Sequence, residues 1–208
     1  MENPSIFKKV RSKLRNLEQG DLLLNLVIPV TTVQDASSMR NMEQSVRLDW
    51  NTGNFVILTQ SCDLDPDNGK QISSAVLAPV LTVSSLLIAN PYYRKADRLK
   101  SILQNKKQNF YCVPPPAGSV LDNGELLVIA LDSPVIVQLD LITMQVTRRG
   151  STVERYRMAS PYSEDLSNVF AYQFERVPLP VRAFPPVELQ TNSLARLAVL
   201  RDADFKLS

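Results

Sequence analysis

Val56-Ile57-Leu58-Thr59-Gln60-Ser61-Cys62-Asp63-Leu64-Asp65 is an apolar run that stops abruptly in a polar cluster holding a thiol and two carboxylates. Apolar and β-branched residues followed by Gln-Ser-Cys-Asp read as a buried strand that delivers reactive side chains to its end. Strand ends on a rigid scaffold are common places to present functional groups. The chain contains no histidine. That removes Ser-His-Asp and Cys-His machinery, His-assisted zinc sites and the usual neutral-pH proton shuttle. Cys62 and Asp63 are therefore candidate catalytic residues. Cys62 serves as a nucleophile if a nearby cation stabilises its thiolate, although the charge of Asp63 works against this. Asp63 serves as a general base if its surroundings are dry enough. The competing reading is structural: Cys62 packs in the core and reacts slowly with thiol reagents, while Asp63 caps the following turn.

Working outward, Asn51-Thr52-Gly53-Asn54 reads as the turn into a strand over 55–59. Residues 31–51 are polar and read as a long loop, and 22–30 as a first strand. Further strands are expected over 74–83, where Pro79 marks a bend or an edge, over Phe110–Val113, and over 124–131 and 134–141 around Asp132-Ser133. Residues 143–147 are expected to pair nearby. The strands at 22–30, 55–59, 74–83, 124–131 and 134–141 are short, apolar and separated by turns, which predicts one curled antiparallel sheet. Helices are expected over 5–17 and over 92–108, the latter with Tyr93, Ala96, Leu99, Ile102 and Leu103 on one face. A third helix starts from Ser160 as N-cap and Pro161 at the first helical position. It carries Tyr162, Leu166, Val169, Phe170 and Phe174 as an apolar face and is ended by Pro178 and Pro180. The fold class is mainly β with appended α, a small antiparallel β-barrel decorated by helices. Residues 1–18 form a basic helix, 19–180 the barrel with helical insertions, and 181–208 an extended arm.

At 208 residues, 44% hydrophobic and 21% charged, the chain is ordinary for a globular protein of one moderately large domain. A net charge of +2 is too mild to argue for nucleic acid by itself. Its distribution is more telling. Lys8, Lys9, Arg11, Lys13 and Arg15 form one basic run; Arg94, Lys95, Arg98, Lys100, Lys106 and Lys107 form another. The bland reading of both is solvated helix surface, with Tyr93 on the buried side. The sharper reading joins the second run to Tyr92 and Tyr93 as a nucleic-acid-binding face that stacks bases and attracts phosphates. Arg148, Arg149, Arg155 and Arg157 either grip phosphates or lie on the surface. The two cysteines, Cys62 and Cys112, cannot build a zinc site alone, and both default to small buried hydrophobes. Asp63, Asp65 and Asp67 alternate like the first half of a calcium loop, but Pro66 and the missing distal Glu spoil the match. No metal and no cofactor are expected. No run of about 18 apolar residues and no signal core occur, so the expectation is a soluble cytoplasmic protein without a membrane partner.

Gln19-Gly20-Asp21-Leu22-Leu23, the strand over 55–59, Val76-Leu77-Ala78-Pro79-Val80 and Ser133-Pro134-Val135-Ile136-Val137-Gln138-Leu139-Asp140-Leu141-Ile142 occur in a telling order. Over 19–147 the chain resembles a divergent member of the PemK/MazF-like family of bacterial growth-inhibiting toxins. The resemblance implies an SH3-type barrel opening with a Gly-Asp strand. That family cleaves RNA with an Arg beside a Pro before its second strand, where this chain has Asn51-Thr52-Gly53-Asn54-Phe55. Thr82 is the counterpart of the family's Thr or Ser after Val-Ala-Pro, one residue late, and is the third catalytic candidate. Gln60-Ser61-Cys62-Asp63 with Ser160-Pro161-Tyr162 is also similar to bacterial proteins of unassigned function that pair such a strand end with a Ser-Pro-Tyr helix. The expected role is a non-catalytic component of a toxin–antitoxin or phage-defence system that binds a protein partner, RNA or DNA, with oligomerisation left open. A divergent PemK/MazF-like endoribonuclease is the alternative, and a thiol-dependent enzyme using Cys62 a third.

Overall fold

The computed structural model describes residues 6–10, 16–33, 46–65, 72–107 and 109–175. Their strands are β1 (Phe7–Lys9), β2 (Asp21–Val33), β3 (Val46–Ile57), β4 (Ser74–Thr82), β5 (Phe110–Val113), β6 (Leu127–Ala130), β7 (Val135–Gln138) and β8 (Glu154–Met158). The helices are α1 (Ser61–Leu64), α2 (Val83–Ala89), α3 (Ala96–Leu103), α4 (Leu139–Thr147) and α5 (Tyr162–Glu175), with a 3-10 turn at Pro91–Arg94. The strands form one mainly antiparallel sheet in the order β1-β8-β2-β3-β4-β6-β5, with β7 also paired to β4. The sheet is open rather than a closed barrel. No helix among the described residues is long and apolar enough to cross a membrane.

Both faces of the sheet are covered, which explains why its central strands read as continuous apolar runs. On one face Leu22, Leu24, Val56, Ala78, Val80, Tyr111, Ile129, Tyr156 and Met158 share a core with Leu166 of α5. On the other, Leu23, Leu26, Ile28, Phe55, Ile57, Ala75, Leu77 and Val137 pack with Ile142 and Val146 of α4. A third core joins Leu86 of α2 and Ile102 of α3 to Phe110, Cys112, Val128 and Ala130. Tyr93 packs against it, edge-on to Phe110 with ring centroids 5.2 Å apart, as the bland reading of that side chain expects.

A bulge sets which side of β2 faces which core. Leu23 pairs with Phe55 but Leu26 with Gly53, so β2 carries one extra residue. Asn25 takes it up at φ 60°, in the left-handed region that Asn tolerates better than most residues. The inserted residue flips the alternation, and Leu26 and Ile28 rejoin the face of Leu23. Asn51-Thr52-Gly53-Asn54 is accordingly not a turn but part of β3. Gly53 lies where a Cβ would stand 2.9 Å from the Phe55 ring, and Asn54 Oδ1 accepts from Asn25 N at 3.1 Å. The long loop expected over 31–51 is likewise strand at 31–33 and 46–51, because the two arms satisfy each other's backbone.

Other departures have local causes. Phe7–Lys9 is a strand against Met158–Tyr156 in place of the helix expected over 5–17; residues 11–15 lie outside the described set. Strand β7 stops at Gln138, and α4 replaces both the end of the strand expected over 134–141 and the pairing expected at 143–147. Leu139, Ile142 and Val146 are spaced for one helical face against the second core. β6 and β7 do not pair with each other; β6 follows 80–82 of β4 and β7 follows 74–77. The helix expected over 92–108 is divided into the 3-10 turn and α3, and α2 precedes them. Helix α5 begins at Tyr162, just after the cis Ser160-Pro161 peptide, rather than with Pro161 as its first residue. The Phe174 side chain, Pro178, Pro180 and the arm over 181–208 lie outside the described residues.

Two polar devices hold the sheet at β2. Beyond Leu24, β8 no longer covers its edge, and Gln145 of α4 substitutes there for a strand. Its Oε1 accepts from Val27 N at 2.9 Å and its Nε2 donates to Val27 O at 2.7 Å. At the start of β2, Asp21 is fully buried beside Arg155, which is 2% exposed. Arg155 Nε and Nη2 donate to Asp21 Oδ2 at 2.9 and 2.5 Å, and Arg157 Nε donates to Oδ1 at 3.0 Å. Glu18 N adds a donor at 2.8 Å, and the Glu18 carboxylate pairs with Arg157. Both guanidiniums also donate to Asn16 O. Two carboxylates thus balance two guanidiniums. Replacing Asp21 with Asn leaves Arg155 charged and buried without its counter-ion, which typically costs about 3–5 kcal/mol. Asp21→Asn should therefore lower the urea midpoint strongly with the slope unchanged. Lys9→Ala, which removes an ion pair to Glu154 at 3.5 Å from an exposed lysine, should cost only about 0–1 kcal/mol. Equal, small effects in the two variants would contradict this assignment.

Candidate functional site

The Gln-Ser-Cys-Asp segment follows β3 after Leu58 and Thr59. Leu58 N donates to Val76 O at 2.9 Å, and Val76 N donates to Thr59 Oγ1 at 2.7 Å, so a side chain completes the strand pairing as the backbone leaves it. The chain then closes into α1, with Asp63 N and Leu64 N donating to Gln60 O at 3.0 and 3.2 Å. Gln19 fastens this corner from the turn before β2: its N–H donates to Ser61 Oγ at 3.0 Å and its Nε2 to Leu58 O at 2.7 Å. Gly20 continues the same contact, donating to Ile57 O at 2.8 Å and accepting from Met158 N at 3.2 Å. At φ 82°, with a notional Cβ 3.1 Å from Ser163 Cβ and 3.3 Å from Met158 Cβ, position 20 admits only glycine without strain. Gln19-Gly20 is therefore where the segment after β3 meets the segment that opens α5. Nothing in the spacing of Gln19 and Ser163 marks them as corner residues; only the paired strands bring them there.

Cys62 is exposed, which corrects the expectation that it packs in the core. Leu64 takes the buried position of the four-residue helix, and Cys62, two residues earlier, falls on the outside. Its sulfur lies 3.6 Å from Gln60 Oε1 and 3.8 Å from Asp63 Oδ1, both placed to accept from the thiol. Asp63 is half-buried. Cys112 is the buried thiol: it donates to Ile102 O at 3.3 Å, and burial pushes its pKa up to about 11. Among the described residues no three metal-ligating side chains converge. Asp67 lies outside that set.

Thr82 does not join Cys62 and Asp63. It is the N-cap of α2, accepting from Ser85 N at 3.1 Å and donating to Ser85 Oγ at 2.9 Å. Glu125 accepts from Ser84 N at 3.1 Å and Ser84 Oγ at 2.6 Å, and these bonds hold its carboxyl below the usual range. Thr82 stands five positions along β4 from Leu77, the partner of Ile57, or about 16 Å at strand spacing.

The second basic run is gathered on the α2–α3 side. Arg98 lies 3.5 Å over the Tyr92 ring and donates to Tyr92 O at 3.1 Å, while Arg94 donates to Leu87 O at 2.9 Å. Arg94, Lys95, Lys100, Lys106 and Lys107 are exposed. Asn105, at φ 53°, accepts from Cys112 N at 2.6 Å and donates to Cys112 O at 3.2 Å, which ties the loop carrying Lys106 and Lys107 to β5. Lys8 and Lys9 sit on β1, at the other end of the strand order. Arg155 and Arg157 are not the surface pair expected from their alternation, since Asp21 engages both; Arg148 and Arg149 are exposed. Compared with protein-family models, with curated proteins and with solved structures, the chain matches none.

In the native protein Cys62 should react with a thiol reagent at neutral pH while Cys112 stays unmodified until the protein unfolds; equal rates would contradict the exposure difference. The buried acids also set an alkaline limit. Burial pushes Cys112 from 9.0 to about 11, and burial followed by the Glu154 hydrogen bond pushes Tyr156 from 10.0 to about 12. The folded state holds both protons more tightly, so this stabilisation is complete below the ordinary values and lost as pH rises through the shifted ones. Urea midpoints should fall between about pH 9 and 12, and Tyr156→Phe should reduce the upper part of that fall.

Proposed function

We propose that this protein is a non-catalytic, cytoplasmic component that binds nucleic acid on its α2–α3 face. The observation that carries the proposal is Arg98 stacked on Tyr92 at 3.5 Å, with Tyr92 57% exposed. Residues 92–107 hold six cations against one carboxylate, Asp97. A guanidinium laid on an aromatic ring offers its outer face to a nucleobase, and the neighbouring cations attract the phosphates. The Gly-Asp opening of β2 and the antiparallel strand order support reading the sheet as an opened PemK/MazF-like, SH3-type barrel. The sequence resemblance supports a setting in a bacterial toxin–antitoxin or phage-defence assembly. The endoribonuclease alternative draws less support, because Thr82 serves as a helix cap and residues 51–54 lie inside β3. A protein partner is the second reading, favoured by Leu48 and Trp50 on β3, 56% and 61% exposed.

Single-stranded RNA or DNA should be retained in filter binding at low salt, with affinity falling steeply as salt rises. Reversing Arg94, Lys95 and Arg98 to Glu should weaken binding by a similar factor for unrelated sequences. Tyr92→Ala should cost about 1–3 kcal/mol of binding, and the RNA should remain uncleaved. No retention of either nucleic acid at low salt, or binding indifferent to these substitutions, would overturn the proposal.

A further inference from the structure

We propose that the cleft between the C-terminal end of α4 and the β1–β8 edge binds a small phosphate-bearing ligand, gripped by Arg148 and Arg149. This site is separate from the α2–α3 face and does not depend on it. The cleft has a volume of about 820 Å³, and Lys9, Val10, Arg148, Arg149, Ser151 and Val153 are among its walls. A second hollow of about 400 Å³ shares Arg148, Arg149, Ser151 and Val153 and reaches Val27 and Gln145. Both hollows thus share the two arginines of one turn. The larger volume falls in the range of roughly 300–1,000 Å³ typical of small-molecule sites.

Charge identifies the ligand class. Among the described residues, Lys9, Arg148, Arg149 and Arg155 are the cations lining the larger cleft and Glu154 the carboxylate. Arg155 is committed to Asp21. Lys9 lies 3.5 Å from Glu154, whose carboxylate also accepts from the Tyr156 hydroxyl at 2.6 Å. Arg148 and Arg149 have no ion-pair partner among the described residues. Their two charges match a phosphate monoester, which carries about −1.5 to −2 at neutral pH. Guanidinium forks suit its oxygens.

The turn itself is ordered. Ser151 N donates to Arg148 O at 3.1 Å around Gly150 at φ 77°. Ser151 Oγ accepts from Val153 N at 3.0 Å, which leaves the hydroxyl proton to donate to an anion. Val10 and Val153 add half-buried apolar wall for an organic group. Among the described residues the lining includes no aromatic ring on which bases would stack, so a compact ligand fits better than a nucleic-acid strand. A purely local role is the competing explanation, since cations at a helix C-terminus complement its carbonyls. That role requires no ligand.

The test titrates the full chain with inorganic phosphate and with a nucleoside monophosphate by calorimetry, against sodium sulfate at matched ionic strength. Both phosphates should bind saturably, and sulfate should not reproduce their affinity. Tighter binding of the nucleotide would assign the apolar wall to an organic group; equal binding would assign the site to the phosphates alone. Arg148→Ala with Arg149→Ala should weaken binding about 10- to 100-fold, as loss of charge-assisted hydrogen bonds implies, with the ligand-free melting temperature unchanged. If that variant melts early, Arg149→Gln alone should still weaken binding. Charge reversal at Arg94, Lys95 and Arg98 should leave phosphate binding intact, which separates this site from the nucleic-acid face. Absence of saturable binding, affinity equal to that for sulfate, or binding indifferent to the arginine substitutions would overturn the proposal.

Discussion

The buried carboxylate of Asp21 ties the first residue of β2 to Arg155 and Arg157 on β8 and to Glu18 N in the segment that precedes β2, where both guanidiniums also donate to Asn16 O. Desolvating these charges is expensive, so the arrangement survives only because each of the carboxylate's oxygens receives donors. Its consequence is positional. With β8 locked to Asp21–Leu24, Gly20 lies between Ile57 and Met158, and the end of β3 and the start of α5 must meet beside it. The candidate corner around Ser61 and Cys62 is thus a by-product of one ion cluster placed at one end of the sheet.

Further along β2 the controlling feature is geometric. The bulge at Asn25 exchanges the faces of the strand and lets Leu26 and Ile28 join the core under α4. The same departure carries β2 beyond the reach of β8, where Gln145 supplies an amide to Val27 as a strand would. Helix α4 therefore both covers the sheet and ends in the Arg148–Ser151 turn, so the position of the proposed phosphate cleft follows from the way the sheet edge is satisfied.

The polar groups of the chain fall into two kinds. Thr82, Glu125, Asn105, Gln19 and Gln145 spend their hydrogen bonds on backbone or neighbouring side chains and organise loops and helix starts. Arg148, Arg149, Lys106 and Lys107 are exposed and make no such side-chain bond among the described residues. The exposed thiol of Cys62 follows the end of β3, whereas Thr82 caps α2 at the far end of β4 from Leu77, the partner of Ile57.

The sequence by itself determined the apolar strands, the antiparallel sheet they form, the helix after Ser160-Pro161 and the basic run at 94–107, because each is written in local periodicity, turn chemistry or composition. Phe110–Val113 shows this most clearly, since its boundaries match the expected strand. What only the tertiary structure decided rests on long-range pairing. Asn51-Thr52-Gly53-Asn54 has turn composition, yet cross-strand bonds make it strand opposite a bulge. Residues 139–147 continue an apolar run, yet the core beneath them selects a helix. Arg155 and Arg157 look like surface cations until a carboxylate 134 residues earlier is placed beside Arg155. Cys62 looks buried until Leu64 takes the inward position. In each case local pattern is compatible with two states, and a partner distant in sequence supplies the free energy that chooses between them.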